Sequence, residues 1–249
     1  MRLVLLRHGQ TNANVLGQLD TAVPGDPLTD LGHRQAEAAP AGLAALGIVP
    51  EALFVSTLVR TQQTAVPLAR ATGLTPVVLD GLKEIQAGDL EMLDDHRSQG
   101  EYNATAFAWA HGDLNVRMPG GESGHGFFAR YDAAIRDVVA AHSAACGSAA
   151  GRSSQSRQTV IVVSHGAAIR TWVAARCLDT DGAFAGDHQL DNTAFAVLTS
   201  IDDSSRDAER ARTSGRPWRL DDWHGTPAGG AALSDRSAND PTGTGPTTG

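Results

Sequence analysis

The chain has 249 residues and a formal net charge of -8 at pH 7. This acidic balance argues against nonspecific nucleic-acid binding, which needs a basic face. Hydrophobic residues make up 41% of the chain, so it can bury a sizeable core as one large α/β domain or two small ones.

The chain contains two cysteines, Cys146 and Cys177, and neither belongs to a CxxC pair. Two cysteines are too few for a disulfide scaffold in a chain of this length, so we expect a cytoplasmic location. No run of about 18 consecutive apolar residues occurs, so we expect no membrane span. The apolar run before Arg7 is short, and we expect it to form a strand rather than a signal peptide.

Predicted strands and helices alternate along residues 1–202, which favours a mostly parallel sheet with helices on both faces. The strongest strand pattern is the β-branched run at 159–163, which is typical of a strand buried on both faces. The predicted strands cover residues 1–6, 53–56, 76–79, 159–163 and 193–198. The predicted helices cover residues 11–19, 30–46, 59–72, 103–111, 127–145 and 166–177. We therefore predict an α/β fold, organised as a three-layer α/β/α sandwich.

The composition changes near the end of the chain, where Asp, Ser, Arg, Gly and Thr dominate. We assign residues 1–202 to one domain and expect 203–249 to be a polar, largely disordered tail, because such a composition cannot bury enough apolar surface to order itself. For Trp218 and Trp223, which lie in this tail, two interpretations stay open: they dock on the domain, or they are loosely held. Residues 85–119 are mostly irregular, and we expect them to form a variable cap segment.

A predicted buried strand ends in a run of polar residues at the start of the chain. Residues 3–6 are apolar, Arg7 and His8 follow them, and a predicted helix begins near Thr11. Ligands bind at the carboxyl ends of strands in open α/β sheets, and the free N–H groups of a helix N-terminus attract anions. With the Asn14 amide, these groups predict a pocket for a tetrahedral anion, in which His8 can act as a nucleophile near neutral pH. A plain surface turn is the alternative for this segment taken alone.

Two further junctions between a strand and a helix carry similar residues. Ser164, His165 and Gly166 follow the strongest predicted strand directly. Two strand-His-Gly-helix junctions in one sheet bring two imidazoles to the same edge. After the second strand, Arg60 lies in the first turn of a helix, where its charge is unfavourable unless an anion lies between the arginine and the helix. A solvated surface arginine is the alternative for Arg60.

These three motifs resemble those of the histidine phosphatase superfamily, also called the phosphoglycerate-mutase-like family. Residues 7–11 are similar to its opening motif, residues 56–65 to the segment that brings its second arginine, and residues 164–166 to its second histidine motif. The resemblance implies that the domain at 1–202 is a catalytic domain of this type.

The resemblance also implies that His8 becomes phosphorylated on a ring nitrogen, with His165 as a second catalytic residue. Phosphoryl transfer needs positioning and charge stabilisation more than covalent work from the protein, and two guanidinium groups and a second imidazole can supply both without a metal. We expect the other ring nitrogen of His8 to donate to a backbone carbonyl, which sets the tautomer. The implied phosphate-binding residues are Arg7, Asn14, Arg60, His165 and Gly166.

A general acid must protonate the leaving alkoxide. In one branch of the superfamily this acid is an aspartate directly after the second histidine, but Gly166 occupies that position here. In the other branch it is a glutamate after the third strand, which implies Glu84. Asp89 and Glu91 are its rivals, and a solvent-facing position at a helix start is the structural alternative. The family usually has a tryptophan and a glycine around the second acid. Residues 90–92 are instead Leu, Glu and Met. This departure puts the expected shape of the pocket in question more than the role of Glu84.

Residues 119–123 resemble another family segment, a Gly-Glu-Ser loop near the site. Two interpretations stay open for it: Glu122 supports an arginine or a histidine of the pocket, or Ser123 caps the following helix. The remaining histidines show no metal-ligand spacing, so we predict no metal and no cofactor.

The cap segment 85–119 has six acidic residues against only two arginines, Arg97 and Arg117. Such a cap would repel the bisphosphorylated intermediate of a mutase and let water reach phosphorylated His8. We therefore predict a phosphatase acting on a small-molecule phosphate monoester, with little negative charge beyond the phosphate, and no nucleic-acid or membrane partner. The alternatives are a phosphoglycerate mutase and a phosphate-binding pseudo-enzyme. The sequence names neither the substrate nor the oligomeric state, and it leaves a homodimer open.

Overall fold

The computed structural model describes residues 1–147 and 158–243. Within these ranges the chain forms six strands and eight α-helices. The strands are β1 Arg2–Arg7, β2 Ala52–Val55, β3 Val77–Val78, β4 Thr159–Ser164, β5 Phe195–Ser200 and β6 Trp218–His224. The helices are α1 Asn12–Leu16, α2 Asp30–Ala45, α3 Val59–Thr72, α4 His96–Ala110, α5 Gly124–Gly147, α6 Gly166–Arg176, α7 Phe184–Asp187 and α8 Ala208–Ser214.

The strands form one mixed sheet in the order β3-β2-β4-β1-β5-β6. The first four strands in this order are parallel to one another, whereas β5 is antiparallel to β1, and β6 is antiparallel to β5. Parallel neighbours need long crossover connections, which usually contain helices. The prediction of a mostly parallel sheet is confirmed.

Both faces of the sheet are covered, which explains the unbroken apolar runs of β1 and β4. Leu3 and Leu5 of β1 belong to a core that includes residues of α4, α5 and α6. Val4 and Leu6 belong to a second core that includes residues of α2 and α3. Because successive side chains point to opposite faces of a strand, β1 needs apolar residues at every position. The predicted three-layer α/β/α sandwich is confirmed.

The register of the parallel strands determines which polar residues meet at the sheet edge. Arg7 of β1 pairs with Ser164 of β4, and Val55 of β2 pairs with Val163 of β4. The next residue of each strand therefore leaves the sheet at its carboxyl edge, where α/β proteins bind their ligands. The residues that meet there are His8, Ser56 and His165.

Within the described residues, 203–243 differ from the largely disordered tail that the composition of 203–249 predicted. They contain α8, and β6 extends the sheet by pairing with β5. Trp218 is 4% exposed and its ring centroid lies 6.1 Å from that of Trp172. Trp223 donates its indole N–H to the Gln189 carbonyl at 2.9 Å. Both tryptophans therefore dock on the domain, because the long-range pairing with β5 satisfies backbone groups that local composition cannot account for.

None of the helices in residues 1–147 and 158–243 is long and apolar enough to cross a bilayer. The same residues contain no group of three or more His, Cys, Asp or Glu side chains that could hold a metal ion.

Candidate active site

His8 follows β1 directly and is 2% exposed. Its Nδ1 lies 2.7 Å from the carbonyl oxygen of Gly9. Because a carbonyl oxygen can only accept, Nδ1 carries the proton and Nε2 keeps its lone pair. Burial, followed by the charges of Arg60 and Arg7, lowers the pKa of His8 well below its ordinary value. His8 therefore presents a neutral ring nitrogen at neutral pH, as a nucleophile requires.

The Arg60 guanidinium lies between the two imidazoles that the sequence singled out. Its Nε is 3.1 Å from His8 Nε2 and 3.3 Å from His165 Nδ1, and the two ring centroids are 5.2 Å apart. The other end of the guanidinium donates to the Asp20 carboxylate at 3.1 Å and to the Asp20 carbonyl at 2.8 Å. The structure thus brings both predicted histidines and the second predicted arginine together.

His165 is the N-cap residue of α6 and is fully buried. Its Nε2 lies 2.7 Å from the Ser56 hydroxyl oxygen. Because Nδ1 accepts from Arg60, Nε2 carries the proton and donates to Ser56. Burial and the charge of Arg60 lower the pKa of His165 well below its ordinary value. The second imidazole is therefore also neutral, and the N–H of Arg60 determines its tautomer.

Glu84 is 2% exposed, and its carboxylate meets the N-terminus of α6. Its Oε1 accepts N–H bonds from Ile85 and Ala168, both at 2.8 Å, and its Oε2 accepts one from Ala167 at 3.1 Å. Burial raises the pKa of Glu84, and the three backbone N–H bonds oppose this shift. A carboxyl group with a raised pKa keeps its proton to higher pH, which suits a general acid.

His8, Arg60 and Glu84 line one narrow cavity at the carboxyl edge of the sheet, whereas His165 does not line it. Its volume of about 10 Å³ is roughly what one water molecule needs. Ten residues line it: His8, Thr11, Ala13, Asn14, Gln18, Asp20, Thr21, Arg60, Glu84 and Thr242. Four of the predicted site residues therefore share one space.

Arg7 is fully buried, and the C-terminal part of the chain holds its guanidinium. One terminal nitrogen lies 2.5 Å from the Asp240 carboxylate and donates to the Thr242 hydroxyl at 2.9 Å. The other donates to the Leu190 carbonyl at 2.7 Å. Arg7 Nε has no hydrogen-bond partner among the described residues. A carboxylate thus contacts the arginine that the sequence assigned to the phosphoryl group.

Asn14 also contacts this C-terminal carboxylate. Its side chain and that of Thr11 form a capping box at the start of α1, with N–H bonds of 3.0 and 3.2 Å. The Asn14 amide nitrogen donates to the Asp240 carboxylate at 3.4 Å. Two predicted phosphate-binding residues therefore share one acidic neighbour.

Gly166, the first residue of α6, is in close contact with the C-terminal segment rather than with the cavity. A Cβ at this position would lie 2.5 Å from the Thr242 carbonyl oxygen and 3.0 Å from Arg7 Nε. There is therefore no room for a larger residue than glycine at this position.

The two rivals of Glu84 lie outside the cavity. Glu91 accepts backbone N–H bonds from Thr21 at 2.7 Å and Ala22 at 2.9 Å, and it also hydrogen-bonds the Thr21 hydroxyl. It lines a separate cleft of about 390 Å³, to which the predicted cap segment also contributes Gln86. Asp89 lines neither space. Of the three carboxyl groups, Glu84 is the one that shares the cavity with His8.

Of the two interpretations of the loop at 119–123, the structure supports the cap at Ser123 and not a contact of Glu122 with an arginine or histidine of the cavity. Glu122 forms an ion pair with Arg130 at 2.6 Å, although this arginine does not line the cavity. The Ser123 hydroxyl accepts the Gly126 N–H at 3.4 Å in the first turn of α5.

Sequence reasoning did not assign roles to several side chains that contact the site. Ser56 had a detectable signal, because it is a polar residue directly after a predicted strand. Asp20 lies in a loop without a pattern. Asp240 and Thr242 lie in a segment whose composition indicated disorder, so no local signal could have connected them with Arg7.

A neutral imidazole nitrogen, two buried guanidinium groups and a carboxyl group with a raised pKa are a chemically coherent set. The imidazole can attack phosphorus, the cations can stabilise the spread negative charge, and the carboxyl group can protonate a leaving oxygen. The cavity at the sheet edge can therefore support transfer of a phosphoryl group through a histidine.

Comparison with known proteins supports the same chemistry. A family model described as the histidine phosphatase superfamily (branch 1) matches residues 3–211. The chain is 32% identical over 228 residues to a glucosyl-3-phosphoglycerate phosphatase of Mycobacterium tuberculosis, a match that covers 90% of this chain and 94% of that protein. It is also 49% identical over 115 residues to the PE-PGRS family protein PE_PGRS11 of the same organism, covering 45% of this chain but only 19% of that protein.

Among solved structures, the fold is similar to that of a mycobacterial glucosyl-3-phosphoglycerate phosphatase in complex with VO3. The TM-score is 0.66 at 27% sequence identity, and the match covers 90% of this chain and 98% of that chain.

Proposed function

The chain belongs to the histidine phosphatase superfamily, branch 1, and on this premise we propose that it hydrolyses a phosphate monoester through a phosphohistidine on His8. A relative and a solved structure, each matched over 90% of this chain, are both named phosphatases, which supports hydrolysis as the reaction. The observation that carries the proposal is the position of the Arg60 guanidinium, 3.1 Å from His8 Nε2 and 3.3 Å from His165 Nδ1.

In the first half-reaction, the lone pair of His8 Nε2 attacks phosphorus. An N–P bond forms while the bond between phosphorus and the ester oxygen breaks. The Nδ1–H bond to the Gly9 carbonyl stabilises the positive charge that the ring gains. The negative charge of the transferring group needs fixed cations and donors. In this proposal they come from Arg7, Asn14, Arg60 and His165, whereas Gly166 contacts the C-terminal segment.

Glu84 supplies the proton that the leaving oxygen needs. Its Oε1 accepts two N–H bonds, which use both of its lone pairs, whereas Oε2 accepts one. The proton therefore belongs on Oε2. Once the alcohol has left, Glu84 is a carboxylate that these N–H bonds and the N-terminus of α6 stabilise.

In the second half-reaction, Glu84 acts as a base. It takes a proton from a water molecule whose oxygen attacks phosphorus, and the N–P bond breaks with its electron pair returning to His8 Nε2. Inorganic phosphate leaves, and Glu84 is protonated again. The same residue thus serves as acid and then as base, as the reversal of proton flow between the two steps requires.

The cleft beside the cavity offers space for the leaving group. It shares Thr21 with the cavity, and Lys83, Gln86 and Glu91 give it polar and charged walls. The Lys83 ammonium and the Gln86 amide can donate hydrogen bonds to oxygen atoms of a leaving group in this cleft. Glucosyl-3-phosphoglycerate, the ester in the name of two relatives, is therefore our first candidate substrate. The low cysteine content supports a cytoplasmic location, which stays a prediction.

Comparison of the wild type with His8→Ala tests this function. We expect the substitution to lower kcat/KM for p-nitrophenyl phosphate at least about 10³-fold, because the nucleophile is lost. His125 is exposed, and His125→Ala is the matched control that should leave the rate unchanged. Rapid quenching of the wild type during turnover should trap phosphate on the protein in a form that acid releases and alkali does not.

Two outcomes would contradict the proposal. Equal rates in the wild type and His8→Ala would mean that the cavity binds phosphate without catalysis. Faster interconversion of 2- and 3-phosphoglycerate than release of phosphate from any ester would mean that the protein is a mutase.

A further inference from the structure

Glu122 and Arg130 form a partly buried ion pair beside the loop that carries Glu84. Arg130 donates from a terminal nitrogen to Glu122 Oε1 at 2.6 Å and from Nε to Oε2 at 2.9 Å, so the contact is bidentate. The Arg130 side chain is 18% exposed and the Glu122 side chain is 11% exposed. Glu122 lies two residues before α5, and Arg130 lies in the second turn of that helix.

The remaining N–H groups of Arg130 hold the backbone of the Glu84 loop. They donate to the carbonyl oxygens of Gly81 at 2.9 Å, of Lys83 at 2.8 Å and of Glu84 itself at 2.8 Å. All five guanidinium N–H groups therefore have an acceptor. The loop is a short 3-10 turn followed by irregular chain, so its carbonyl groups have no sheet or α-helix to satisfy them.

Glu122 holds the same loop on the far side of Glu84. Its Oε1 accepts the backbone N–H of Gln86 at 3.1 Å. The ion pair thus contacts the backbone before, at and after Glu84. The Glu84 carboxylate itself is bonded to the N–H groups of Ala167 and Ala168 in α6, so its backbone and its side chain are held by different helices.

We propose that Glu122 and Arg130 are positioning residues that hold Glu84 Oε2 at the leaving oxygen of the substrate. This inference rests on the proposed function, in which Glu84 is the general acid. A positioned acid contributes about 10²- to 10⁴-fold in rate, and productive geometry tolerates errors of only about 0.5 Å. Neither Glu122 nor Arg130 lines the cavity, so both act through Glu84.

The leaving group separates the positioning of an acid from general damage to the site. Glycerol 3-phosphate must lose an alkoxide, which needs a proton, whereas p-nitrophenolate leaves readily without one. We expect Arg130→Ala to lower kcat/KM about 100-fold for glycerol 3-phosphate but no more than about threefold for p-nitrophenyl phosphate. Glu84→Ala should show the same dependence on the leaving group with a larger loss.

Matched variants make the test specific. Arg130→Lys keeps the charge but not the planar fork, so it should retain most of the Arg130→Ala defect. Arg136 is exposed on the same helix, and Arg136→Ala should leave both rates unchanged. Glu122→Gln keeps an acceptor for Gln86 and should lose only about tenfold with glycerol 3-phosphate. It also provides the measurement if Arg130→Ala does not fold, which thermal unfolding would reveal.

The outcomes distinguish this inference from the function on which it rests. If Glu84→Ala lowers both rates equally, Glu84 is not the acid, and the proposed mechanism and the positioning role fall together. If Glu84→Ala depends on the leaving group but the Arg130 and Glu122 variants do not, the mechanism stands and the positioning role is overturned.

Discussion

At the scale of single residues, the buried imidazoles link catalysis to stability. Burial and the charge of Arg60 lower the pKa of both His8 and His165. The unfolded chain takes up protons on these rings near pH 6.5, whereas the folded protein does so only at lower pH. The stability that they contribute is therefore fully present above about pH 6.5 and is lost as the pH falls below that value.

We predict that the free energy of unfolding decreases between pH 7.5 and 5.5. Each imidazole can contribute at most about 1.4 kcal/mol per pH unit in this window. The raised pKa of Glu84 has the opposite effect, because the folded protein then keeps a proton that the unfolded chain releases. Urea unfolding at both pH values, in the wild type and in His8→Asn/His165→Asn, isolates the imidazole contribution.

The free energy of unfolding of the double variant should depend much less on pH than that of the wild type. His96 is exposed at the start of α4, and His96→Asn is the control that should keep it. Parallel pH profiles in the wild type and the double variant would contradict the linkage.

At the scale of elements, α2 is in direct backbone contact with the loop after β1. A Cβ at Gly32, in the first turn of α2, would lie 2.1 Å from the Gln10 carbonyl oxygen, and a Cβ at Gly9 would lie 2.6 Å from the Gly32 carbonyl oxygen. The Gln10 N–H also donates to the Gln35 side chain in α2 at 2.8 Å. The position of His8 therefore depends on the close approach of this helix.

We predict that Gly32→Ala destabilises the protein by about 1–3 kcal/mol, because the added methyl group forces α2 away from the loop, and that it lowers kcat as His8 moves. A Cβ at Gly100 in α4 would meet no atom of the described residues within 4 Å, so Gly100→Ala should stabilise by about 0.5–1 kcal/mol. Chemical unfolding and steady-state kinetics measure both effects. Equal stability of Gly32→Ala and the wild type would show that the contact can relax.

Helix boundaries show which elements the sequence could predict. The predicted helix at 103–111 is α4, which begins seven residues earlier at His96. Asp95 caps it by accepting the Ser98 N–H at 3.0 Å, an Asp-x-x-Ser pattern that was available in the sequence. The strand β6 had no comparable local signal, because its backbone partner β5 had to be in place first.

At the scale of the whole molecule, the C-terminal segment 235–243 closes the cavity from outside the predicted domain. Asn103 in α4 donates to the Pro241 carbonyl at 2.9 Å, and Arg170 in α6 donates to the Thr242 carbonyl at 3.1 Å. The cavity of about 10 Å³ holds roughly one water molecule, which is less than a phosphate ester needs. We therefore expect this segment or its side chains to move when a phosphate ester binds.

The Asp240 carboxylate lies 2.5 Å from the Arg7 guanidinium, so we expect it to compete with an anion that binds Arg7. We predict that Asp240→Asn lowers the inhibition constant of inorganic phosphate about tenfold, equivalent to roughly 1.4 kcal/mol, since the competing negative charge is removed while the shape is kept. Competitive inhibition of p-nitrophenyl phosphate hydrolysis measures it.

Asp235 provides the control within the same segment. It accepts from the Gln10 amide at 2.8 Å and does not line the cavity, so Asp235→Asn should leave phosphate inhibition unchanged. Weaker inhibition by phosphate in Asp240→Asn would show that Asp240 orients Arg7 rather than competes for it.

The sequence by itself determined the family, the mostly parallel sheet and the three strand-to-helix junctions. These properties follow from local patterns: runs of β-branched residues predict buried strands, and the polar residues directly after them are carried to one sheet edge by parallel topology. The family match over 3–211 confirms the resemblance that these motifs carried.

Tertiary structure alone decided which groups bind the predicted site residues. Asp240 contacts Arg7 from the opposite end of the chain, and Arg130 reaches the backbone of Glu84 from another helix. The tautomers of His8 and His165 likewise depend on the atoms that face each ring. Packing in three dimensions determines these contacts, because burial removes the water that would compete for each hydrogen bond. A local sequence pattern does not show which groups become buried together.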